Sequence, residues 1–146
     1  VSFVVFLVRH AEAAPGVGGT DADRQLTVRG RAGFERLLAS LGPTLAVRRV
    51  LSSPFHRALE TAGILGRATG APVEAADDLA SGHASGLEVL ALARQAGAGA
   101  ALVGHNPDIA EAVALAAGDT APVPPGTVAA IDLSGGRPRL LWLRSP

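Results

Sequence analysis

Three short stretches of the 146-residue chain carry side chains that could do chemistry together: Arg9-His10-Ala11-Glu12, Ser52-Ser53-Pro54-Phe55-His56-Arg57 and His105-Asn106-Pro107. Guanidinium forks match phosphate oxygens in geometry as well as charge. Neutral imidazole is a good nucleophile near neutral pH and forms covalent intermediates. Arg9, Arg57 and His105 could neutralise the equatorial oxygens of a phosphoryl group while His10 attacks phosphorus in line. That chemistry needs no metal, and the sequence offers no metal-ligand spacing. Each stretch alone has a plainer explanation, since Arg9 and His10 would equally cap a strand in solvent. Their joint meaning depends on whether the intervening elements bring them to one edge.

The elements predict that they do. Ser2 to Val8 is almost wholly apolar and reads as a strand buried on both faces, ending at Arg9-His10 and a loop with Pro15, Gly16, Gly18 and Gly19. Thr27 is the expected N-cap of a helix whose apolar stripe is Phe34, Leu37, Leu38 and Leu41, stopped by Gly42-Pro43. Arg29, Arg31, Glu35 and Arg36 lie off that stripe and read as a solvated face. Arg49 to Ser52 is a short strand. Ser53 then Pro54 predicts an N-cap followed by proline at the first helical position, with Leu59, Ala62, Ile64 and Leu65 inward as far as Gly70.

Val73 to Ala76 is a candidate third strand, residues 77–86 a polar loop, and Leu87 to Ala96 a helix. Ala100 to Gly104 is another buried strand, and Asn106-Pro107 repeats the capping device before a helix carrying Ile109, Val113 and Leu115 up to Gly118. Pro122, Pro124 and Pro125 make a stiff loop. Thr127 to Leu133 and Arg139 to Leu143, joined through Gly135-Gly136, predict a closing hairpin. Strands alternating with helices mean α/β with a mostly parallel sheet, and the hairpin adds an antiparallel edge. Open α/β sheets bind ligands at the carboxyl ends of their strands. Two of the three stretches there open helices, whose free N–H groups favour an anion. Helical side chains lean toward the N-terminus, so Arg57 should reach the rim that holds Arg9.

Composition narrows the partners. The chain is 48% apolar but only 3% aromatic, so alanine, valine and leucine must build the core. Thirteen basic and thirteen acidic residues cancel without long runs, which leaves no basic face for nucleic acid or an anionic membrane. Cysteine is absent, which excludes disulfides and thiol catalysis. The first apolar stretch is too short to span a membrane, and Arg9 follows it instead of preceding it, so a cytoplasmic protein is expected. No repeat or linker divides residues 1–146, which read as one domain.

Arg9-His10-Ala11-Glu12 resembles the Arg-His-Gly-Glu signature of the histidine phosphatase superfamily. The resemblance continues through Asp23-Arg24-Gln25-Leu26-Thr27-Val28-Arg29-Gly30, Ser52 to Ala62, and Val103-Gly104-His105-Asn106-Pro107, in order along most of the chain. It implies a three-layer α/β/α phosphoglycerate mutase-like fold. It also implies that His10 is the phosphorylated nucleophile and that Arg9, Arg57 and His105 bind the phosphoryl group, with no cofactor or metal. The chain's shortness and the Gly-His-Asn-Pro form resemble the SixA-type phosphohistidine phosphatases, so the expected substrate is phosphohistidine on a protein, with inorganic phosphate as product.

Two departures bear on mechanism. Ala11 stands where the family's glycine follows the nucleophile. Many relatives also use a glutamate as proton donor after the third strand, where this chain has Ala80 and Ser81. Glu12, Asp78, Asp77 and His83 are the candidate replacements. General acid catalysis is typically worth about 10²–10⁴-fold, so its loss favours a phosphorylated nitrogen, whose imidazole leaving group takes a proton readily. The short connections leave little for a lid and predict a shallow, open site. A small-molecule phosphomonoesterase and a catalytically weak phosphate-binding module are the alternatives; a mutase, which must keep water out, fits least.

Overall fold

The computed structural model describes residues 2–16 and 20–146, so Gly18 and Gly19 of the expected loop lie outside the described residues. The strands are β1 (Val4–Arg9), β2 (Arg49–Ser52), β3 (Val73–Ala75), β4 (Ala100–Gly104), β5 (Val128–Asp132) and β6 (Arg139–Arg144). The helices are α1 (Val28–Leu41), α2 (His56–Thr69), α3 (Gly86–Ala96) and α4 (Asp108–Ala117). The strands form one sheet in the order β3-β2-β4-β1-β5-β6. Pairing is parallel from β3 to β1, and β5 runs antiparallel to both β1 and β6.

Strand periodicity explains the three layers. Alternate residues of β1 face opposite sides: Phe6 and Val8 pack with Phe34, Leu37 and Leu38 of α1 and Ala58, Ala62 and Leu65 of α2. Val5 and Leu7 pack with Val89 and Leu90 of α3 and Ile109 and Val113 of α4. Both faces are covered, which is why β1 and β4 read as unbroken apolar runs. A fully buried side chain of this kind contributes roughly 1.5–3 kcal/mol. No helix among the described residues is long and apolar enough to cross a membrane.

Thr27 caps α1 as expected, its hydroxyl accepting from the Gly30 N–H. The two proline signals need correction. Helix α2 begins at His56, so Pro54 lies in the strand-to-helix turn and not at the first helical position. Ser53 Oγ instead accepts the Phe55 N–H at 3.2 Å inside that turn. Helix α4 begins at Asp108, with Pro107 at the cap position; Asn106 Oδ1 reaches past it to the Ala110 N–H at 3.2 Å. Each chain needs a residue or two to turn from sheet to helix, and proline suits that turn.

Leu59, expected inward, is 37% exposed, because α2 turns the stripe Ala58, Thr61, Ala62 and Leu65 toward the sheet. The hairpin register shifts between Ala130 and Ile131, so that Trp142 opposes Ala130 and Leu140 opposes Ile131. Leu141 is left over at that bulge and stays exposed, while the Trp142 ring packs 6.1 Å from Phe6.

Candidate active site

Strand register builds the site. In the β1–β4 ladder Arg9 lies opposite Gly104, and in the β2–β4 ladder Ser52 lies opposite Val103. One further bond prolongs each ladder, from the His10 N–H to the Gly104 carbonyl at 3.0 Å and from the Ser53 N–H to the Val103 carbonyl at 2.9 Å. His10, Ser53 and His105 therefore leave three adjacent strands at the same edge. The His10 and His105 ring centroids are 5.2 Å apart. Arg57, on the second residue of α2, completes the group and is buried with both rings.

The hydrogen bonds of His10 define its tautomer. Nδ1 lies 2.7 Å from the Ala11 carbonyl oxygen, which can only accept. Nε2 lies 3.3 Å from Arg57 Nε, which can only donate. Neutral His10 thus carries its proton on Nδ1 and presents a lone pair at Nε2. Burial, followed by the charges of Arg57, Arg9 and Arg24, lowers its pKa to about 4 against the Ala11 bond, which raises it. The ring is neutral at pH 7.

His105 Nε2 lies 2.7 Å from Ser53 Oγ, and its ring stands edge-on to Phe55 with centroids 5.0 Å apart. Burial and then the Arg57 charge push its pKa down to about 3, although Asp21 acts in the opposite direction. The Phe55 ring also lies under the Arg57 guanidinium, 5.1 Å away. Arg9 Nη1 donates to the Val123 carbonyl at 3.0 Å, and Asn106 Nδ2 donates to the same oxygen at 3.0 Å. The proline-rich loop thereby clamps the ends of β1 and β4 together. Burial and then Arg57 lower the Arg9 pKa. Arg9 Nε and His105 Nδ1 are buried without partners, as is Asp108 Oδ2 in the first turn of α4.

Arg57 has a partner that the sequence did not signal. Its Nη1 donates to the Asp21 carbonyl at 2.6 Å and its Nη2 to Asp21 Oδ2 at 3.0 Å. Asp21 belongs to a 3-10 turn, Asp21–Asp23, and also accepts from Arg24 at 3.3 Å. Burial raises its pKa, but the hydrogen bonds from Arg57 and Arg24 outweigh that and hold it below the usual carboxylate value. This turn lies against Arg57, and His10 is only 7% and His105 only 1% exposed.

The candidate proton donors lie apart from this group. Glu12 binds Thr27 Oγ1 at 2.8 Å and Arg29 Nη2 at 2.7 Å, and its pKa is lowered, chiefly by Arg29. Arg31 similarly pairs with Glu60, so Arg29 and Arg31 are anchors and not merely a solvated face. Asp78, in the turn Asp77–Leu79 after β3, is exposed and lines a groove of about 280 Å³ with His83 and Glu88. His56 and His83 are exposed. Among the described residues no group of three or more His, Asp or Glu is placed to hold a metal ion.

The fold and the paired imidazoles and guanidiniums at one sheet edge define a phosphatase of the histidine type. The profile of the histidine phosphatase superfamily (branch 1) matches residues 5–107, and the chain belongs to that superfamily. It is similar to the protein histidine phosphatase SixA solved with tungstate, at 29% identity and a TM-score of 0.83 over 98% of this chain and 97% of that one. A protein from Agrobacterium tumefaciens provisionally assigned as phosphohistidine phosphatase SixA gives 25% identity and a TM-score of 0.86 over 100% and 99% of the two chains. A phosphoserine phosphatase from Entamoeba histolytica shares the fold, at 16% identity and a TM-score of 0.72 over 98% and 97%. No curated protein sequence matches the chain.

Proposed function

We propose that the protein removes phosphate from phosphohistidine on another protein, through a phosphoryl group carried on His10 Nε2 and without a metal. The observation that carries this reading is the His10 tautomer, with Nδ1–H on the Ala11 carbonyl and the Nε2 lone pair facing Arg57. A neutral, oriented imidazole needs no base to expose its nucleophile. The substrate is a phosphoimidazolium, with phosphorus on one nitrogen and a proton on the other. His10 Nε2 attacks phosphorus, the P–N bond breaks, and its electron pair returns to the leaving ring, which departs neutral with its proton in place. Phospho-His10 is in turn a phosphoimidazolium, because Nδ1 keeps its proton. Water then attacks phosphorus, the second P–N bond breaks, and neutral His10 is restored with dihydrogen phosphate as product.

Arg9, Arg57 and His105 hold the phosphoryl oxygens. The unpartnered Arg9 Nε and His105 Nδ1 support this, since buried polar groups without partners are rare and costly, and an anion would satisfy both. Glu12 is assigned to anchoring the loop after His10 on α1, because both its oxygens are bound. Asp78 receives no role.

The test is to incubate the protein with phosphoramidate, quench in alkali, and map the acid-labile label. Turnover of a phosphohistidine peptide is compared with an aryl phosphate and sugar phosphates. Label on His10, absent in His10→Ala, with the peptide preferred, is the expected result. Label elsewhere would overturn the nucleophile. Preference for sugar phosphates would make the protein a small-molecule phosphomonoesterase, and no turnover at all would leave a phosphate-binding module.

A further inference from the structure

We propose that the Asp21 carboxylate accepts the ring N–H of the departing imidazole, and so makes the site prefer phosphorylated histidine to phosphate esters. This rests on the phosphohistidine reading and adds the group that discriminates between substrates.

Asp21 stands at the boundary of the site. Its side chain is 58% exposed, whereas the Arg57 side chain it binds is 4% exposed. One guanidinium links it to the nucleophile, because Arg57 donates by Nε to His10 Nε2 at 3.3 Å and by Nη2 to Asp21 Oδ2 at 3.0 Å. A phosphoryl group on His10 Nε2 therefore lies against the guanidinium edge that Asp21 shares. The His10 ring occupies one apical position of the transferring phosphorus. The leaving group takes the opposite one, which must open toward solvent, and the Asp21 carboxylate bound to this guanidinium is itself exposed to solvent. Among the described residues Asp21 is the carboxylate that touches Arg57, while Glu12 is held away by Arg29 and Thr27.

The sign of the charge does the discriminating. An ester leaves as an alkoxide, which needs a proton donor and is repelled by an ionised carboxylate. A phosphoimidazolium presents a cationic N–H, which a carboxylate attracts and hydrogen-bonds. In the transfer step the proton stays on the leaving nitrogen, the P–N electron pair returns to the ring, and Asp21 only holds the N–H. The groups facing Asp21 are Arg57 from α2, Arg24 from its own loop and His105 from the end of β4, while Asp23 beside it is bound to Thr20. Arg57 and Arg24 keep the carboxylate ionised where imidazole titrates.

The test is kcat/KM, together with the pH profile of kcat, which reports the bound complex, for wild type and Asp21→Asn on a phosphohistidine peptide and on 4-nitrophenyl phosphate. Thermal melting, which should change little at so exposed a residue, reports that the variant is folded. Both rates should fall, because Arg57 loses an ionic partner. The peptide rate should fall about ten- to a hundredfold further than the ester rate, the worth of a hydrogen bond to a charged partner. The alkaline limb of the peptide profile should also move to lower pH, while that of the ester stays in place. An unchanged ratio would reduce Asp21 to a positioning residue for Arg57, and a rise in both rates would make it a competing anion; either overturns the proposal. Wild type that cleaves only the ester would instead overturn the phosphohistidine reading itself.

Discussion

Thr61 ties the residue after His10 to the helix that supplies Arg57: its Oγ1 accepts the Ala11 N–H at 3.0 Å and donates to the Arg57 carbonyl at 2.7 Å. Thr61 is fully buried, so neither bond has water as a substitute. Thr61→Val keeps the shape but orphans the Ala11 N–H, at a cost of about 1–3 kcal/mol. The variant should melt several degrees lower and lose phosphatase activity, while Thr61→Ser restores most of both. Melting and kcat/KM measured on the two variants together check this.

Arg57 uses three donors in a fixed plane, one on His10 and two on Asp21. Lysine at this position supplies the charge but not the fork. Arg57→Lys should lower kcat/KM by about 10²–10³-fold, the usual consequence of losing one preorganised donor to a developing charge. Inorganic phosphate at a hundred times its Kd should stabilise the wild type by about 2.7 kcal/mol. That shift in the melting temperature should shrink markedly in the lysine variant.

The two site imidazoles make stability depend on pH. His10 and His105 titrate at about 4 and about 3 in the folded chain, against an ordinary value of 6.5. An unfolded chain therefore binds more protons than the native one between pH 6.5 and those values. Stability is untouched by these rings above pH 6.5 and falls as pH drops through the window, by about 3 kcal/mol for His10 and about 5 kcal/mol for His105 over its full width. Urea unfolding between pH 7 and pH 4.5 should show this decline, and His105→Gln should make it shallower. Identical slopes in the two proteins would refute the assignment. Phosphate should raise both imidazole pKa values, which NMR titration of the ring carbons would reveal.

Gly30 lets α1 lie against the backbone of Glu12. A Cβ there would sit 2.5 Å from the Glu12 carbonyl oxygen and 2.8 Å from its Cβ. The Thr27 N–H donates to that same carbonyl at 3.0 Å, so the contact cannot open without a hydrogen bond loosening. Gly30→Ala should cost about 1–3 kcal/mol, as overpacking does. Because Glu12 lies two residues after His10, activity should fall along with melting temperature.

The edge that carries the candidate site was legible in the sequence because strand ends are local. An apolar run ending in Arg9-His10, and another ending in Gly104-His105, place both imidazoles wherever those strands end. Thr27, with a hydroxyl and no competing signal, predicted its cap correctly. The proline devices did not, since Pro54 and Pro107 fit a turn as well as a first helical position, and only the path from sheet to helix chooses. Leu59 shows the same ambiguity in helix phase, which the neighbouring alanines leave open.

By itself the sequence determined the alternation of elements, the buried strands and the chemical groups carried at their ends, all of which follow from residue type and short-range spacing. The tertiary structure alone decided the strand order that sets β4 between β1 and β2 and so brings His10 beside His105. It also decided the partners of the charged groups: Glu12 goes to Arg29, and Asp21 crosses to Arg57, 36 residues along the chain. Such pairings depend on where loops come to rest over a packed core, and no periodicity or local propensity encodes that.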